Sequence, residues 1–250
     1  MPGIFISRGM TLSVPVGGMV VGTGAEEFVI KSLTLQIRFD VCPTWIELSL
    51  NHTARSIDAK NHRDKIWAAG NEEAKAPALE REFEHSMQAM MAAAIAIDAF
   101  YAVLAQHVYL PPSVLANWRT KRTSRYAQVT EVIRRAFKLK PSGTAGLRQN
   151  LKEIYRTRDL AVHPSGKIEI PVHHPELDLG VEWRFAYFRS SNAVLVNETA
   201  TWIIWELCKK GAPQNSDIQD YISKLSERLD QIFPNGHPFD TQTTNNKAAS

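Results

Sequence analysis

Apolar residues alternate with polar ones near the N-terminus of this chain, and from about residue 78 onward they recur mostly every three or four positions, the spacing of a helix face. Within residues 1–50, Phe28 to Ile30 and the run Leu33, Leu35, Ile37, Phe39 predict short strands, hence a small β-rich region. Residues 51–77 turn polar, rich in Asn, Lys, Glu and Ala, and read as a linker. A long Ala-rich helix is expected over 78–108, stopped by Pro111 and Pro112, which cannot continue the backbone ladder. A second helix is expected over 126–139. Pro141 and Gly143 then break the chain before a third helix, 144–162, with Leu147, Leu151, Ile154 and Ala161 on one stripe. Over 168–188 the alternating Val181, Trp183, Phe185 and Tyr187 suggest a β-hairpin between helices three and four. A fourth helix over 192–210 ends at Gly211, and a fifth, 216–233, aligns Ile218, Ile222, Leu225, Leu229 and Ile232. Residues 234–250, poor in apolar side chains, read as a disordered tail. The expected fold is mainly α, a four- or five-helix bundle over 78–233.

Composition narrows this picture in three places. Cys42 and Cys208 stand alone, so neither a disulfide framework nor a zinc site is indicated, and a reducing, cytoplasmic setting fits. The apolar run 87–105 has membrane-helix length but contains Gln88 and Asp98, which favours a buried core helix over a membrane span. No signal-peptide layout is read at the N-terminus. The net charge of +3 is modest, yet between Trp118 and Lys140 eight basic residues face one acid, Glu131. Arg119, Lys121, Arg122, Arg125, Arg134 and Arg135 in this stretch form the best candidate contact for a polyanion, with Trp118 and Tyr126 able to stack on bases. A solvated helix face is the ordinary explanation of such a run.

The candidate chemistry sits at the end of the third helix. Arg158 falls on the same stripe as Leu151 and Ile154, and a guanidinium pointing into a core requires a partner. Asp98, alone among alanines in the first long helix, is the expected one. His163 lies roughly 140° further round an ideal helix, but Pro164 disfavours helical geometry at the residue before it and should let the imidazole swing beside the guanidinium. A single His before Pro is by itself usually a capping residue, and an Asp–Arg pair is as often structural as catalytic. Other candidates are weaker. His173 and His174 near Asp178 point to opposite faces of a strand, Cys42 and His52 have nothing local to join them, and Trp202 and Trp205 suit a core or dimer contact. No Gly-rich phosphate loop is present, and neither a metal nor a cofactor is expected.

The segment Arg158-Asp-Leu-Ala-Val-His-Pro164 resembles the R-x4-H motif of the HEPN family (higher eukaryote and prokaryote nucleotide-binding domains). The resemblance extends to the Ala-rich helix with Asp98 and covers roughly residues 78–233; Asp159 stands where Asn is commoner. It implies metal-independent RNA cleavage by the substrate's own 2′-hydroxyl. His163 would move protons, a task for which an imidazole titrating near neutrality is suited, and Arg158 would hold the phosphate. Asp98 would aim Arg158, and Asp159 would hydrogen-bond within the site or orient His163. The resemblance also implies a homodimer that brings two motifs into one cleft, and an inhibitory partner protein if the nuclease is a toxin or defence factor. The rival is a non-catalytic HEPN-like scaffold that binds a nucleotide or a protein; a DNA-binding protein using the basic second helix is a third reading.

Overall fold

The computed structural model describes residues 3–7, 19–23, 28–32, 36–163 and 166–239, and it is mainly helical. Among the described residues, four short strands open the chain: β1 (Gly3–Ser7), β2 (Met19–Thr23), β3 (Phe28–Ser32) and β4 (Gln36–Asp40). β1 pairs in parallel with β4, setting Ile4 opposite Ile37, while β2 and β3 pair antiparallel with Val21 opposite Ile30. Of the expected strand at 33–39, residues 36–39 lie in β4, and residues 33–35 lie outside the described residues.

The β-rich region ends at Asp40, ten residues sooner than the polarity pattern suggests. The Asp40 carboxylate accepts from the Cys42 N–H at 3.0 Å and Pro43 occupies the first turn, both favourable at a helix start. From there α1 (Cys42–Ala69) runs straight through the segment read as a linker. The correction has a clear cause. The buried stripe of α1 is Ile46, Ser49, Thr53, Ser56, Ala59 and Arg63, at helical spacing but mostly polar, so hydropathy does not register it. Its hydroxyls are satisfied within the fold: Ser49 donates to Asn197 Oδ1 at 2.5 Å, and Ser56 lies 3.2 Å from Ser190 Oγ.

Gly70, at φ 67°, takes the left-handed conformation that closes α1, and the Asn71 side chain caps α2 (Glu72–His107) through the Ala74 N–H. α2 begins six residues ahead of its expected start at 78 and passes through Pro77. Its composition and length would allow a membrane span, but 56% of its most apolar window is buried inside the fold. There it packs beside α1, α4 (Arg125–Ala136), α5 (Ala145–Val162), α7 (Ser190–Lys210) and α8 (Ser216–Ile232). Ile97, Phe100 and Leu104 of α2 meet Ile133, Leu151, Ile154, Ile204, Ile222 and Leu229 in one core.

Three smaller elements depart from expectation. A nine-residue helix, α3 (Pro112–Thr120), follows the proline pair; it buries no side chain and so leaves no hydrophobic signature. The hairpin at 168–188 reduces to a two-residue ladder between β5 (Val172–His173) and β6 (Gly180–Val181). Trp183, Phe185 and Tyr187 belong to a short helix, α6 (Trp183–Tyr187), because Glu182 caps it by accepting from the Arg184 N–H at 3.0 Å. In the tail, residues 234–239 are anchored at His237, which is buried among Trp202, Trp205 and Phe233, with a ring nitrogen 2.9 Å from Thr201 Oγ1. The rest of the expected disordered segment, 240–250, is outside the described residues.

The loop between α5 and α6 is tied down by charge. Arg63, 0% exposed, gives Nη1 to Glu82 at 2.5 Å and Nη2 to Glu176 and Asp64, each at 2.8 Å. Glu176 also accepts from Lys60 at 2.6 Å and Ser191 at 2.9 Å. Burial alone would raise this carboxyl, but the bonds from Arg63, Lys60 and Ser191 outweigh it and hold the group at about 2 rather than 4.5. The depressed value means that the unfolded chain binds a proton the native chain refuses. The stabilisation is therefore complete above pH 4.5 and lost as pH falls towards 2, on the order of 3 kcal/mol in all. Glu176→Gln should lower stability at neutral pH by about 2–4 kcal/mol and flatten the acid limb between those values, measured by urea denaturation at a series of pH. An unchanged acid limb would contradict this assignment.

Candidate active site

Three helices converge on one carboxylate. Asp98 of α2 faces the C-terminal half of α5, where Tyr155 and Arg158 lie one turn apart on the same side, and the first residue of α4, Arg125. Asp98 Oδ2 accepts from Arg158 Nη1 at 2.8 Å, the contact expected from the helix stripes. Its other oxygen accepts from Arg125 Nε at 2.8 Å and from the Tyr155 hydroxyl at 2.7 Å. Tyr155 is 2% exposed, and burial together with the Asp98 charge pushes its phenol above the ordinary 10, so it remains a proton donor in the network. Each guanidinium also rests on an aromatic ring: Arg125 lies 4.1 Å from the Tyr101 centroid and Arg158 lies 4.8 Å from that of Tyr155.

The outer edge of Arg158 is held by its neighbour in sequence. Asp159 Oδ1 accepts from Nε at 3.1 Å and from Nη2 at 2.8 Å. A guanidinium has five N–H donors, so among the described residues one N–H on each terminal nitrogen is left over, and the side chain is 24% exposed. Here is an arginine anchored from within and still able to receive an anion from solvent.

α5 stops at Val162 as expected. His163 leaves the helical region (φ −120°, ψ 69°), and its N–H is the last to reach back, to the Asp159 carbonyl at 3.0 Å. Pro164 lies outside the described residues. The imidazole is exposed, and among the described residues it has no hydrogen bond or ion pair with Arg158. The expected swing to the guanidinium is therefore not seen; Arg158 is bonded instead to Asp98 and Asp159. Asp159 holds Arg158 with its side chain and His163 only through its backbone.

The six cations of the basic stretch fall into two groups. Arg125 is turned inward to Asp98; Arg134 and Arg135 are both bound to Glu131, at 2.7 and 2.6 Å, and that carboxyl is lowered chiefly by the Arg134 bond. Arg119, Lys121 and Arg122 are exposed and, among the described residues, have no acidic partner. Arg119 and Arg122 line an open hollow of about 480 Å³ with Leu115, Trp118, Thr123 and Gln128. Tyr126 stands apart from it, under the Arg148 guanidinium at 5.7 Å.

The remaining candidates fall away on geometry. Cys42 and Cys208 are buried free thiols that desolvation pushes upward, unsuited to act as nucleophiles. His52 stacks towards His85, with ring centroids 5.8 Å apart. His173 is exposed while His174 is buried, and among the described residues no group of three metal-ligating side chains occurs. Trp205 is buried in the core, with Trp202 packed at its edge. Sequence reasoning missed Tyr155 and the inward role of Arg125. The first was detectable, since Tyr155 lies three residues before Arg158 on the face turned to Asp98.

Comparison with protein-family models, with curated proteins and with solved structures finds no match for this chain.

Asp98→Asn keeps the shape but takes from Arg125 its acidic partner and leaves Arg158 with Asp159 alone, and should cost about 2–3 kcal/mol. Tyr155→Phe, which removes one hydrogen bond, should cost about 1 kcal/mol. Urea midpoints measure both, and equal losses would mean that Asp98 does not hold the arginines by charge.

Proposed function

We propose that this chain is a metal-independent endoribonuclease of the HEPN type, working at a homodimer cleft. The observation that carries the reading is the 2.8 Å pair between Asp98 and Arg158, five residues before an exposed His163, in the same chain segment that resembles the R-x4-H motif. Arg158 is pre-aimed by Asp98 and Tyr155 and offers two spare N–H groups to phosphate oxygens, so stabilising the charge that grows at phosphorus requires little rearrangement. His163 takes the proton of the 2′-hydroxyl as the 2′-oxygen forms its bond to phosphorus. The bond from phosphorus to the 5′-oxygen breaks, and the leaving oxygen takes a proton from the same histidine of a second copy. The products are a 2′,3′-cyclic phosphate and a free 5′-hydroxyl. An enzyme of this kind would threaten its own cell unless restrained, and the reading therefore includes an inhibitory partner protein.

One feature of the geometry favours the rival scaffold reading: Arg125, Arg158 and Tyr155 are all engaged by Asp98, as a purely structural tie between helices would require. The two readings part at His163. In excess chelator, wild-type protein should cleave RNA, and His163→Ala should lower the rate by about 10²–10⁴ with the fold intact, since the ring is exposed. Asp159→Asn, which weakens the competing grip on Arg158, should raise kcat/KM by roughly threefold. A scaffold would show no cleavage, and His163→Ala would then leave ligand binding unchanged.

A further inference from the structure

The turn from α3 into α4 holds a residue other than glycine in the left-handed region, as the end of α4 does at Lys138 (φ 51°). The Thr123 N–H reaches the Trp118 carbonyl at 2.9 Å and the Arg122 N–H reaches that of Arg119 at 3.3 Å, the bonding pattern of a helix end that ordinarily places glycine in the left-handed position. That position holds Arg122, at φ 47°. A side chain is thus kept where backbone energetics favour none, and it projects from the rim of the hollow described above.

The lining of this hollow is of mixed chemistry. Trp118 packs partly on the core and contributes ring surface; Leu115 adds an apolar edge. The Gln128 amide is fixed by donating Nε2 to the Thr123 carbonyl at 2.8 Å, which leaves Oε1 as an oriented acceptor. Arg119 and Arg122 supply charge uncompensated among the described residues, in contrast to Arg134 and Arg135 nearby. A volume of about 480 Å³ suits one small organic group. Arg125, three residues beyond Arg122, is bonded to Asp98, which also binds Arg158, so α4 carries both a lining residue of the hollow, Gln128, and a member of the candidate active site.

We infer that this hollow is a subsite for one unpaired nucleotide of an RNA strand, with the base against Trp118, its edge donating to Gln128 Oε1, and the flanking phosphates on Arg119 and Arg122. The inference rests on the ribonuclease reading and names its substrate class, single-stranded RNA. A duplex keeps its bases stacked and cannot offer one to the ring, whereas an acidic peptide would use the two arginines but neither the ring face nor the oriented amide.

The test uses the full chain and a fluorescent, uncleavable 2′-O-methyl octamer, single-stranded or annealed to its complement, read by anisotropy. The single strand should bind at least tenfold more tightly than the duplex. Trp118→Ala should weaken it about tenfold, as expected for one lost base stack. Because Trp118 also supports the core, a second variant carries the test: Arg122→Gly relieves the left-handed backbone, so it should keep or raise Tm while weakening binding and lowering the salt slope by about 0.7. Lys224→Gln on α8, exposed, should change nothing. Equal binding of single strand and duplex, unchanged binding by both subsite variants, or preference for a poly-glutamate octamer would each overturn the inference. If the octamer binds as described but native RNA is not cleaved, the nuclease reading falls and the subsite stands; cleavage with variant-insensitive binding is the reverse.

Discussion

Asp98 is one anion shared by two guanidiniums and a phenol, and the candidate site depends on that arrangement. A lone carboxylate inside an Ala-rich helix would be costly to bury; three charge-assisted or strong donors compensate it. The same bonds fix three elements at once. α5 is held in rotation so that Arg158 faces inward and His163 emerges at the surface, and α4 is held at its first residue, Arg125, just after the α3–α4 turn.

The second charge cluster is the useful contrast. Arg63 has no exposed surface, and its Nε, Nη1 and Nη2 are all bound to carboxylates, one of them Glu82 at 1% exposure, so nothing from solvent can reach it. Its work is to fasten the α5–α6 loop to α1 and α2. Arg158 is built from the same kinds of contact but keeps part of its surface and two donors open. The difference between a structural and a chemically available arginine lies in that remaining access, and it is why the phosphate-holding role is assigned to Arg158 and not to Arg63.

Much of this was legible in the residues and some was not. The apolar stripe of α8 and the ends of α5 were plain, because Ile218, Ile222, Leu225 and Leu229 repeat at helical spacing and Pro164 forbids continuation. The meeting of Asp98 and Arg158 followed from two charges standing on otherwise apolar faces. α1 was hidden because Ser49, Thr53, Ser56 and Arg63 bury a polar stripe whose satisfaction comes from distant residues such as Asn197 and Glu176. α6 was misread because a five-residue helix and a strand of alternating aromatics look alike over so short a window, and only the Glu182 cap decides. At the site, the inward turn of Arg125 and the pairing of Arg134 and Arg135 with Glu131 are matters of rotamer and register that charge counting cannot reveal.

The central claim is that Arg158 and His163 act on the phosphate next to a ribose 2′-hydroxyl. The most direct measurement is the chemistry of the ends: a defined RNA oligonucleotide incubated with the protein in excess chelator, its products resolved by phosphorus NMR, beside the same oligonucleotide carrying 2′-O-methyl groups. Cyclic phosphate from the native strand and an intact methylated strand are the expected result. Cleavage of both, or 5′-phosphate termini, would contradict it.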